Sequence, residues 1–286
     1  MPLTRTADLL ASGSPVAAFN VITVEHAEAI AAGAEAAGSP AILQLSENAV
    51  KFHGGRLTPI ASATAAVARA SSTPLALHLD HVESVRLLHA AAAHDFSSVM
   101  YDASKLPYAE NVKATAEAAR WAHARGLWLE AELGRIGGKA GDAHTPGVRT
   151  DPAEAAAYVA DTGVDALAVA VGSSHAMTDR TATLDHALIA ALHTALPVPL
   201  VLHGSSGVPD PELRRAVASG ITKINVGTAL NTAYTGAVRA FLEAHPSTVD
   251  PRRYLAPARE AMAGAVERFL RVIGATRDPR PLPGSP

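Results

Sequence analysis

Short apolar runs alternate eight times with Ala-rich segments of helical periodicity between residues 15 and 226, and this alternation constrains the fold most strongly. Strands that are joined by helical crossovers must pair in parallel. Eight such units predict an α/β fold, a closed (β/α)8 TIM barrel. The predicted strands are residues 16–21, 41–46, 75–80, 97–102, 127–133, 166–172, 198–203 and 221–226. The predicted helices between them are residues 25–37, 57–70, 82–94, 108–125, 152–162, 184–196 and 209–219.

An open, doubly wound sheet is the alternative arrangement for this order of elements. Such a sheet would carry a glycine-rich phosphate turn after its first strand, whereas residues 20–24 read Asn-Val-Ile-Thr-Val.

Two extra C-terminal helices, at residues 231–245 and 251–274, are predicted after the eighth strand. No linker or shift in composition divides the chain, so residues 1–286 are predicted to form one domain with a mobile, Pro/Arg-rich tail at 270–286.

The charge and the cysteine content exclude several classes of function. The 24 Lys and Arg residues against 27 Asp and Glu residues give a net charge of −3, which argues against a nucleic acid or an anionic membrane as partner. The chain has no cysteine, so disulfides, thiolate metal ligands and a cysteine nucleophile are excluded. No apolar run approaches the roughly 18 residues of a membrane span and no secretory signal is evident, which predicts a cytoplasmic protein.

Polar side chains stand at the predicted end of nearly every strand. Because the active site of such a barrel is built at the carboxyl ends of the strands, these side chains are predicted to converge on one rim. They are Asn20, Ser46, Asp80, His81, Asp102, Glu132, His175, His203 and Asn225.

Three of these residues, His81, His175 and His203, come from different strands. Three neutral imidazoles with an open fourth position are typical of a catalytic zinc site. The alternative interpretation, solvated loop histidines, better describes the histidines that fall in predicted helices. Glu132 is placed to be a further metal ligand or a carboxylate that supports one.

Asp80 directly precedes His81, so its carboxylate is predicted to lie near a metal-bound substrate and to act as the general acid/base. The alternative role for a carboxylate at a strand end is to cap the next helix. His78, within the same strand, is interpreted as a core residue or as a support of the site.

Two short loops after the seventh and eighth strands are predicted to bind an anion. Loops in these two places form the usual phosphate site of such barrels, where backbone N–H groups and hydroxyls surround the anion. Either loop alone would also be consistent with a simple turn. The candidate residues are Gly204, Ser205, Ser206, Asn225, Val226, Gly227 and Thr228.

Seven motifs that spread over nearly the whole chain occur in the order that one known family shows. They are Ala-Phe-Asn at 18–20, His-Leu-Asp-His at 78–81, Glu-Ala-Glu-Leu-Gly at 130–134, Gly-Ser-Ser-His at 172–175, His-Gly-Ser-Ser-Gly at 203–207, Lys-Ile-Asn-Val at 223–226 and Tyr-Leu-Ala-Pro-Ala-Arg at 254–259. The chain thereby resembles the class II, zinc-dependent ketose-bisphosphate aldolases of the fructose- and tagatose-bisphosphate type.

This resemblance implies a reaction and its catalytic residues. The reaction is the reversible aldol cleavage of a ketose 1,6-bisphosphate to dihydroxyacetone phosphate and glyceraldehyde 3-phosphate. His81, His175 and His203 match the Zn²⁺ ligands. Glu132 matches a carboxylate that binds the metal when substrate is absent, and Asp80 matches the catalytic acid/base.

The resemblance also implies how the ligand is bound. Asn20 and Ser46 match positions that contact the phosphorylated sugar, and the two anion loops match those that hold dihydroxyacetone phosphate and a monovalent cation, Na⁺ or K⁺. Family members are generally homodimers or homotetramers, which implies the same here. Basic residues near the C-terminus are candidates for the distal phosphate, with a solvated basic face as the alternative. They are Arg252, Arg253, Arg277 and Arg280.

The chain departs from the family pattern at four positions. Ala140 stands where the family has a loop Glu that moves a proton on the dihydroxyacetone phosphate carbon. Either Asp142 or His144 is predicted to take that catalytic role, or the substrate differs from fructose bisphosphate. The other departures are Ala176 for Gly, Ser205 for Gly and Gly227 for Ala.

Four other functions are alternatives to the cleavage of a ketose 1,6-bisphosphate. An aldolase of a different phosphorylated ketose would follow from the changed loop at Ala140, and so would a non-catalytic sugar-phosphate sensor, although a sensor has no need of Asp80. A Schiff-base aldolase would use Lys223, which matches a family lysine without that role. A metal-dependent hydrolase on the same barrel would open with a His-x-His pair where residues 20–22 read Asn-Val-Ile.

Overall fold

Eight parallel strands close into a barrel in the computed structural model, which describes residues 3–133, 148–174 and 179–274. The strands are β1 (Val16–Asn20), β2 (Ala41–Ser46), β3 (Leu75–Val82), β4 (Ser98–Tyr101), β5 (Trp128–Glu132), β6 (Ala166–Ala168), β7 (Leu200–Leu202) and β8 (Ile221–Val226). Each strand pairs in parallel with the next along the chain, and β8 closes the barrel against β1. The predicted (β/α)8 barrel is therefore confirmed.

Helices alternate with the strands, and both helices predicted after the eighth strand are present. The helices are α1 (Thr6–Leu10), α2 (Val24–Ala37), α3 (Glu47–Phe52), α4 (Leu57–Ala70), α5 (Val85–Ala91), α6 (Tyr108–His123), α7 (Pro152–Thr162), α8 (His186–Ala195), α9 (Asp210–Ala218), α10 (Thr228–Ala244) and α11 (Pro251–Val272). In the part of the chain that the structure describes, no helix is both long enough and apolar enough to cross a bilayer.

β6 is shorter than the apolar run predicts, because it ends at Ala168 and not at residue 172. The reason lies at Ala170, whose N–H donates to Thr150 Oγ1 at 2.8 Å and whose carbonyl accepts from Thr150 N at 3.0 Å. Thr150 belongs to the segment before α7. Val169 still donates to the carbonyl of Val201 in β7 at 3.1 Å, and from Ala170 the buried chain is bonded to that segment.

The sequence pattern does not predict α1 or α3, because helices of five and six residues are too short to show a helical period. α1 closes the amino end of the barrel. Its Leu9 and Leu10 pack in a small buried cluster with the first residues of three strands, which are Val16, Ala18, Ile42 and Ala76.

Inside the barrel, the side chains change from apolar to ionisable towards the carboxyl ends of the strands. His78, Glu130 and Lys223 have no exposed surface, and they lie two residues before Asp80, Glu132 and Asn225 on their strands. Because alternate residues of a strand face the same side, each pair shares the barrel interior. Because buried charges are costly unless they are paired, these ionisable side chains need partners inside the barrel.

The outer layer of helices is completed where α11 packs against α2. A Cβ added to Gly33 of α2 would lie 2.5 Å from the carbonyl oxygen of Ala263 and 2.6 Å from Cβ of Val266, both in α11. Only glycine permits this approach. Phe269 of α11 also meets Phe19 of β1 edge-on, with ring centroids 5.9 Å apart. The last helix, α11, is therefore packed against both β1 and α2.

Candidate active site

A polar cavity opens at the carboxyl ends of the strands, where the sequence predicts the active site. Nine of the predicted site residues line it: Asn20, Asp80, His81, Gly204, Ser205, Ser206, Asn225, Gly227 and Thr228. Gln44 and Asn231 complete the wall and were not predicted. Gln44 could have been found from the sequence, since it lies two residues before Ser46 and therefore faces the same side of β2.

Three side chains in and beside this cavity could hold a metal ion. His81, Glu132 and His203 each offer a ligand atom, and these atoms all lie within 4.8 Å of one another. They come from β3, from β5 and from the residue after β7. Their imidazole and carboxylate groups are the donors that remain in a chain without cysteine.

His81 has an unusual backbone conformation. Its φ is 47°, and it is the one non-glycine residue with positive φ in the described ranges. The pairing of β3 with β4 also shifts register between Leu79 and Val82, around this residue. The imidazole is oriented by Asp102, whose Oδ2 lies 2.9 Å from Nδ1. With Nδ1–H donated to a carboxylate, Nε2 is the nitrogen that can bind a metal.

Glu47, at the start of α3, holds the backbone that follows His81. Its Oε2 accepts the N–H groups of Glu83 at 2.8 Å and Ser84 at 3.1 Å, while Oε1 pairs with Lys51 at 3.0 Å. Burial opposes ionisation, but these contacts outweigh it and lower the pKa of Glu47. A left-handed conformation at a non-glycine residue persists only where its surroundings enforce it, and Glu47 supplies that restraint on the carboxyl side.

His203 is fully buried between two carboxylates. Its Nε2 lies 3.0 Å from Glu130 Oε1, and its Nδ1 lies 3.3 Å from Glu132 Oε2. Burial alone would lower the pKa of His203, but its hydrogen bonds with Glu130 and Glu132 raise the pKa to about 9. The two carboxylates therefore favour positive charge at this point, which a proton or a metal ion could supply.

Glu130 links His203 to a buried lysine. Its Oε2 lies 2.8 Å from Lys223 Nζ and 3.9 Å from His78 Nε2. Burial opposes the charge of Glu130, but Lys223 and the hydrogen bond from His203 hold its pKa well below the usual range. Burial lowers the pKa of His78 to about 3, so this ring is neutral, and its Nδ1 lies 2.8 Å from Ser98 Oγ.

Lys223 is badly placed for Schiff-base chemistry. It has no exposed surface and is not part of the cavity wall, and its ammonium is engaged with Glu130 and with Asn225 Oδ1. A nucleophilic lysine must reach the substrate as a free amine. The geometry therefore argues against the class I alternative.

Asp80 is buried, with 2% of its surface exposed, yet it belongs to the cavity wall. Within the described ranges, no group donates a hydrogen bond to its Oδ1. Burial alone would raise the pKa of Asp80, but the nearby groups that carry positive charge, His81 first and then His203 and Lys223, outweigh it and lower the pKa. Asp80 does not cap α5, because Ser84 is the residue whose side chain accepts from that helix, at Leu87 N. An ionised carboxylate thus faces the cavity with an accepting oxygen.

The two predicted anion loops lie side by side. Gly204 has a φ of 67°, and a Cβ there would lie 2.4 Å from the carbonyl oxygen of Ser174, so glycine is required. Ser205 donates to the carbonyl of Asn225 at 2.5 Å, which ties the first loop to the end of β8. Ser206 Oγ accepts from Ala229 N at 3.0 Å, in the first turn of α10. Both loops are therefore bonded into one wall at the helix N-terminus.

Asn20 faces these loops from β1. Gln44 donates to its Oδ1, and a Cβ at Gly227 would lie 2.9 Å from its Nδ2. The glycine that distinguishes this chain at 227 thus gives the Asn20 carboxamide room beside the second loop.

Several predicted residues lie away from the cavity wall or outside the described ranges. Ser46 accepts from Ala49 N at 3.1 Å as the N-cap of α3, and the guanidinium of Arg252 pairs with Asp250 at the start of α11. Val226 is buried at the end of β8. Arg253 is exposed, and its guanidinium carbon lies 5.9 Å from the ring centroid of Phe241. The other predicted residues, which are His175, Asp142, His144, Ala140, Ala176, Arg277 and Arg280, lie outside the residues that the structure describes.

The chain is similar to known proteins along nearly its whole length. A family model described as class II fructose-bisphosphate aldolase matches residues 6–278. The fructose-bisphosphate aldolase of Geobacillus stearothermophilus is 39% identical over 263 residues, which cover 91% of this chain and 92% of that protein.

Solved structures show the same architecture. The crystal structure of the YdjI aldolase from Escherichia coli K12 has a TM-score of 0.81 at 30% identity and covers 96% of this chain and 97% of that one. The fructose-bisphosphate aldolase of Campylobacter jejuni has a TM-score of 0.78 at 23% identity, with 94% and 93% covered, and shows likeness of fold alone. The resemblance read from the motifs is confirmed: the chain belongs to the class II fructose-bisphosphate aldolase family, and it is an aldolase, a metal-dependent lyase.

Proposed function

We propose that this aldolase reversibly cleaves fructose 1,6-bisphosphate, or its tagatose stereoisomer, to dihydroxyacetone phosphate and glyceraldehyde 3-phosphate, with Zn²⁺ as its resident metal. The observation that carries the proposal is the convergence of His81, Glu132 and His203 beside the ionised Asp80, where His81 and Asp80 line the polar cavity and the other two lie buried next to it. The family model and the name of the Geobacillus stearothermophilus relative support the sugar class.

The residues present fit a zinc ion. Nε2 of His81 and Nδ1 of His203 would bind it, because the other nitrogen of each ring is held by a carboxylate, Asp102 or Glu130. His175 would be the third imidazole, and Glu132 would bind when substrate is absent. When bound, the metal polarises the ketose carbonyl and stabilises the negative charge that cleavage leaves on its oxygen.

Asp80 would move the first proton. Its Oδ1 accepts the proton of the C4 hydroxyl, the C3–C4 bond breaks, and the aldehyde forms at C4; in the condensation direction Asp80 returns the proton. Asp142 or His144 would carry the second proton, at C3 of the dihydroxyacetone phosphate fragment. Asp80 can accept a proton because its carboxyl is ionised and no described group donates to its Oδ1.

The cavity wall would hold the substrate. Asn20, oriented by Gln44, would contact the sugar in the cavity, and Ser46, beyond the cavity wall at the end of the next strand, would contact the part of the sugar that extends past it. Residues 204–206 and 225–228 would surround the proximal phosphate together with Na⁺ or K⁺. Arg252 would reach a distal phosphate in a homodimer or homotetramer, and the cytoplasm is the proposed location.

The proposal is tested by measuring cleavage of both sugars before and after removal of the metal. We expect turnover of at least one bisphosphate, loss of that turnover with a chelator, and recovery on addition of Zn²⁺. The ratio of the two rates gives the preferred stereoisomer. No cleavage of either sugar by zinc-loaded protein would contradict the proposal and would favour a different phosphorylated ketose, as the change at Ala140 allows.

Glu47→Ala is expected to weaken zinc binding about tenfold, the lower end of the usual effect of groups that support a ligand. The reason is that the N–H groups of Glu83 and Ser84 lose their acceptor and the left-handed turn at His81 is no longer held. Zinc affinity is measured by competition with a coloured chelator. Lys51→Met is the matched control, since it removes the ion pair and keeps Oε2 on both N–H groups. Equal zinc affinities in the two variants would contradict this role.

A further inference from the structure

Lys223 is a fully buried cation at the centre of the barrel, and the proposed reaction leaves it without a role. The barrel interior around β6 and β7 is filled by Ala and Val side chains. A buried ammonium is costly to desolvate, and an apolar side chain of similar volume is often at least as stable. Stability alone is therefore a poor explanation for a lysine at this position.

The ammonium touches both halves of the site. Nζ lies 2.8 Å from Glu130 Oε2, on the side of the metal ligands, and donates to Asn225 Oδ1 at 2.7 Å, on the side of the anion loops. The other oxygen of Glu130, Oε1, lies 3.0 Å from His203 Nε2. A single chain of contacts thus runs from Asn225 through Lys223 and Glu130 to His203.

Because lysine can only donate hydrogen bonds, it fixes the polarity of each partner. Asn225 must turn its oxygen towards Nζ, so its amide nitrogen is directed elsewhere; no described residue accepts from that nitrogen, and Asn225 lines the cavity. Lys223 binds the Oε2 of Glu130, and the Oε1 of Glu130 accepts the hydrogen bond from His203 Nε2–H. That bond leaves His203 Nδ1 directed towards Glu132.

We propose that Lys223 is a positioning residue that fixes the Nδ1 face of His203 for the metal and the NH₂ group of Asn225 for an anionic oxygen of the substrate. This inference rests on the metal site of the proposed function and deepens it. One buried charge then sets the orientation of a metal ligand and of a substrate contact that lie on different strands.

The test compares zinc affinity and Michaelis constants in three variants. In Lys223→Met, the Glu130 carboxylate loses its partner and can turn away from His203, so the zinc Kd is expected to rise about 10- to 100-fold. In Lys223→Met/Glu130→Gln, the uncompensated charge is removed and the Gln oxygen still accepts from His203, so zinc affinity is expected to return to within about fivefold of wild type. In that double variant Asn225 has still lost its donor, so KM for the ketose bisphosphate at saturating zinc is expected to rise about tenfold.

Ile224→Val is the control for general damage, because Ile224 is equally buried and packs on the opposite face of β8. It should lower the thermal midpoint and leave the zinc Kd and KM unchanged. If Lys223→Met does not fold, the KM of the double variant Lys223→Met/Glu130→Gln, in which both charges are removed, becomes the deciding measurement.

The inference is overturned if folded Lys223→Met binds zinc within twofold of wild type, if the double variant is no better than the single one, or if its KM equals that of wild type. The wild-type titration separates this failure from failure of the proposed function. A wild-type protein that binds no zinc refutes the metal site itself and the inference with it.

Discussion

Asp80→Asn is expected to lower kcat for ketose bisphosphate cleavage by about 10²- to 10⁴-fold, the usual contribution of a positioned general base. An amide has the shape of the carboxylate but cannot take the C4 hydroxyl proton. The lowered pKa of Asp80 keeps its carboxyl ionised before substrate arrives, and no described group donates to its Oδ1. Initial rates and zinc content are measured on the same preparation.

Two comparisons make this result specific. Asp8→Asn, at an exposed position of α1 on the opposite end of the barrel, should keep wild-type kcat. Binding of dihydroxyacetone phosphate by Asp80→Asn should stay close to wild type, since the loops at 204–206 and 225–228 are unchanged. A variant with more than a tenth of wild-type turnover would show that another group takes the proton. A wild-type protein that binds the ligand and never turns over would favour the sensor.

His203→Ala is expected to lose both zinc and activity. The substitution removes a ligand atom from the cluster that contains His81 and Glu132, and it leaves Glu130 without the ring that it orients. Metal catalysis supplies several kcal/mol of transition-state stabilisation, so the loss should be about 10³-fold, or about 4 kcal/mol, at zinc concentrations that saturate the wild type.

Metal content by elemental analysis and kcat at increasing zinc are the two measurements for His203→Ala. His245→Ala removes an exposed imidazole at the end of α10 and should change neither. A stoichiometric zinc ion together with wild-type turnover in His203→Ala would exclude this residue as a ligand.

The sequence predicts the barrel well because its signal is repeated eight times. Alternating strands and crossover helices determine parallel pairing wherever they occur, and the predicted strand ends place Asp80 and His203 near the same rim. The alternation of apolar runs and helical segments predicts a strand end less accurately where tertiary contacts replace the hydrogen bonds between strands. Thr150 shortens β6 through the backbone of Ala170, and no local periodicity could indicate that partner.

The parts of the site that the sequence misses lie one layer deeper or act through the backbone. Glu130 and Gln44 sit two residues before a predicted site residue and could have been found by strand parity alone. The contact of Glu130 with Lys223 could not, because it crosses the barrel between β5 and β8, which are not neighbours. Glu47 acts on the N–H groups of Glu83 and Ser84, and such bonds leave no pattern in side-chain chemistry.

The contact between α11 and α2 determines when this protein can fold during its synthesis on the ribosome. Val16 of β1 finds its partner at Lys223, about 200 residues later, and Gly33 receives Val266 only when α11 has emerged from the exit tunnel. Until then a nascent chain exposes an unpaired strand edge and an uncovered apolar helix face, both of which favour aggregation. We therefore expect the barrel to close only after α11 has been synthesised, and the apolar face of α2 to stay uncovered until then.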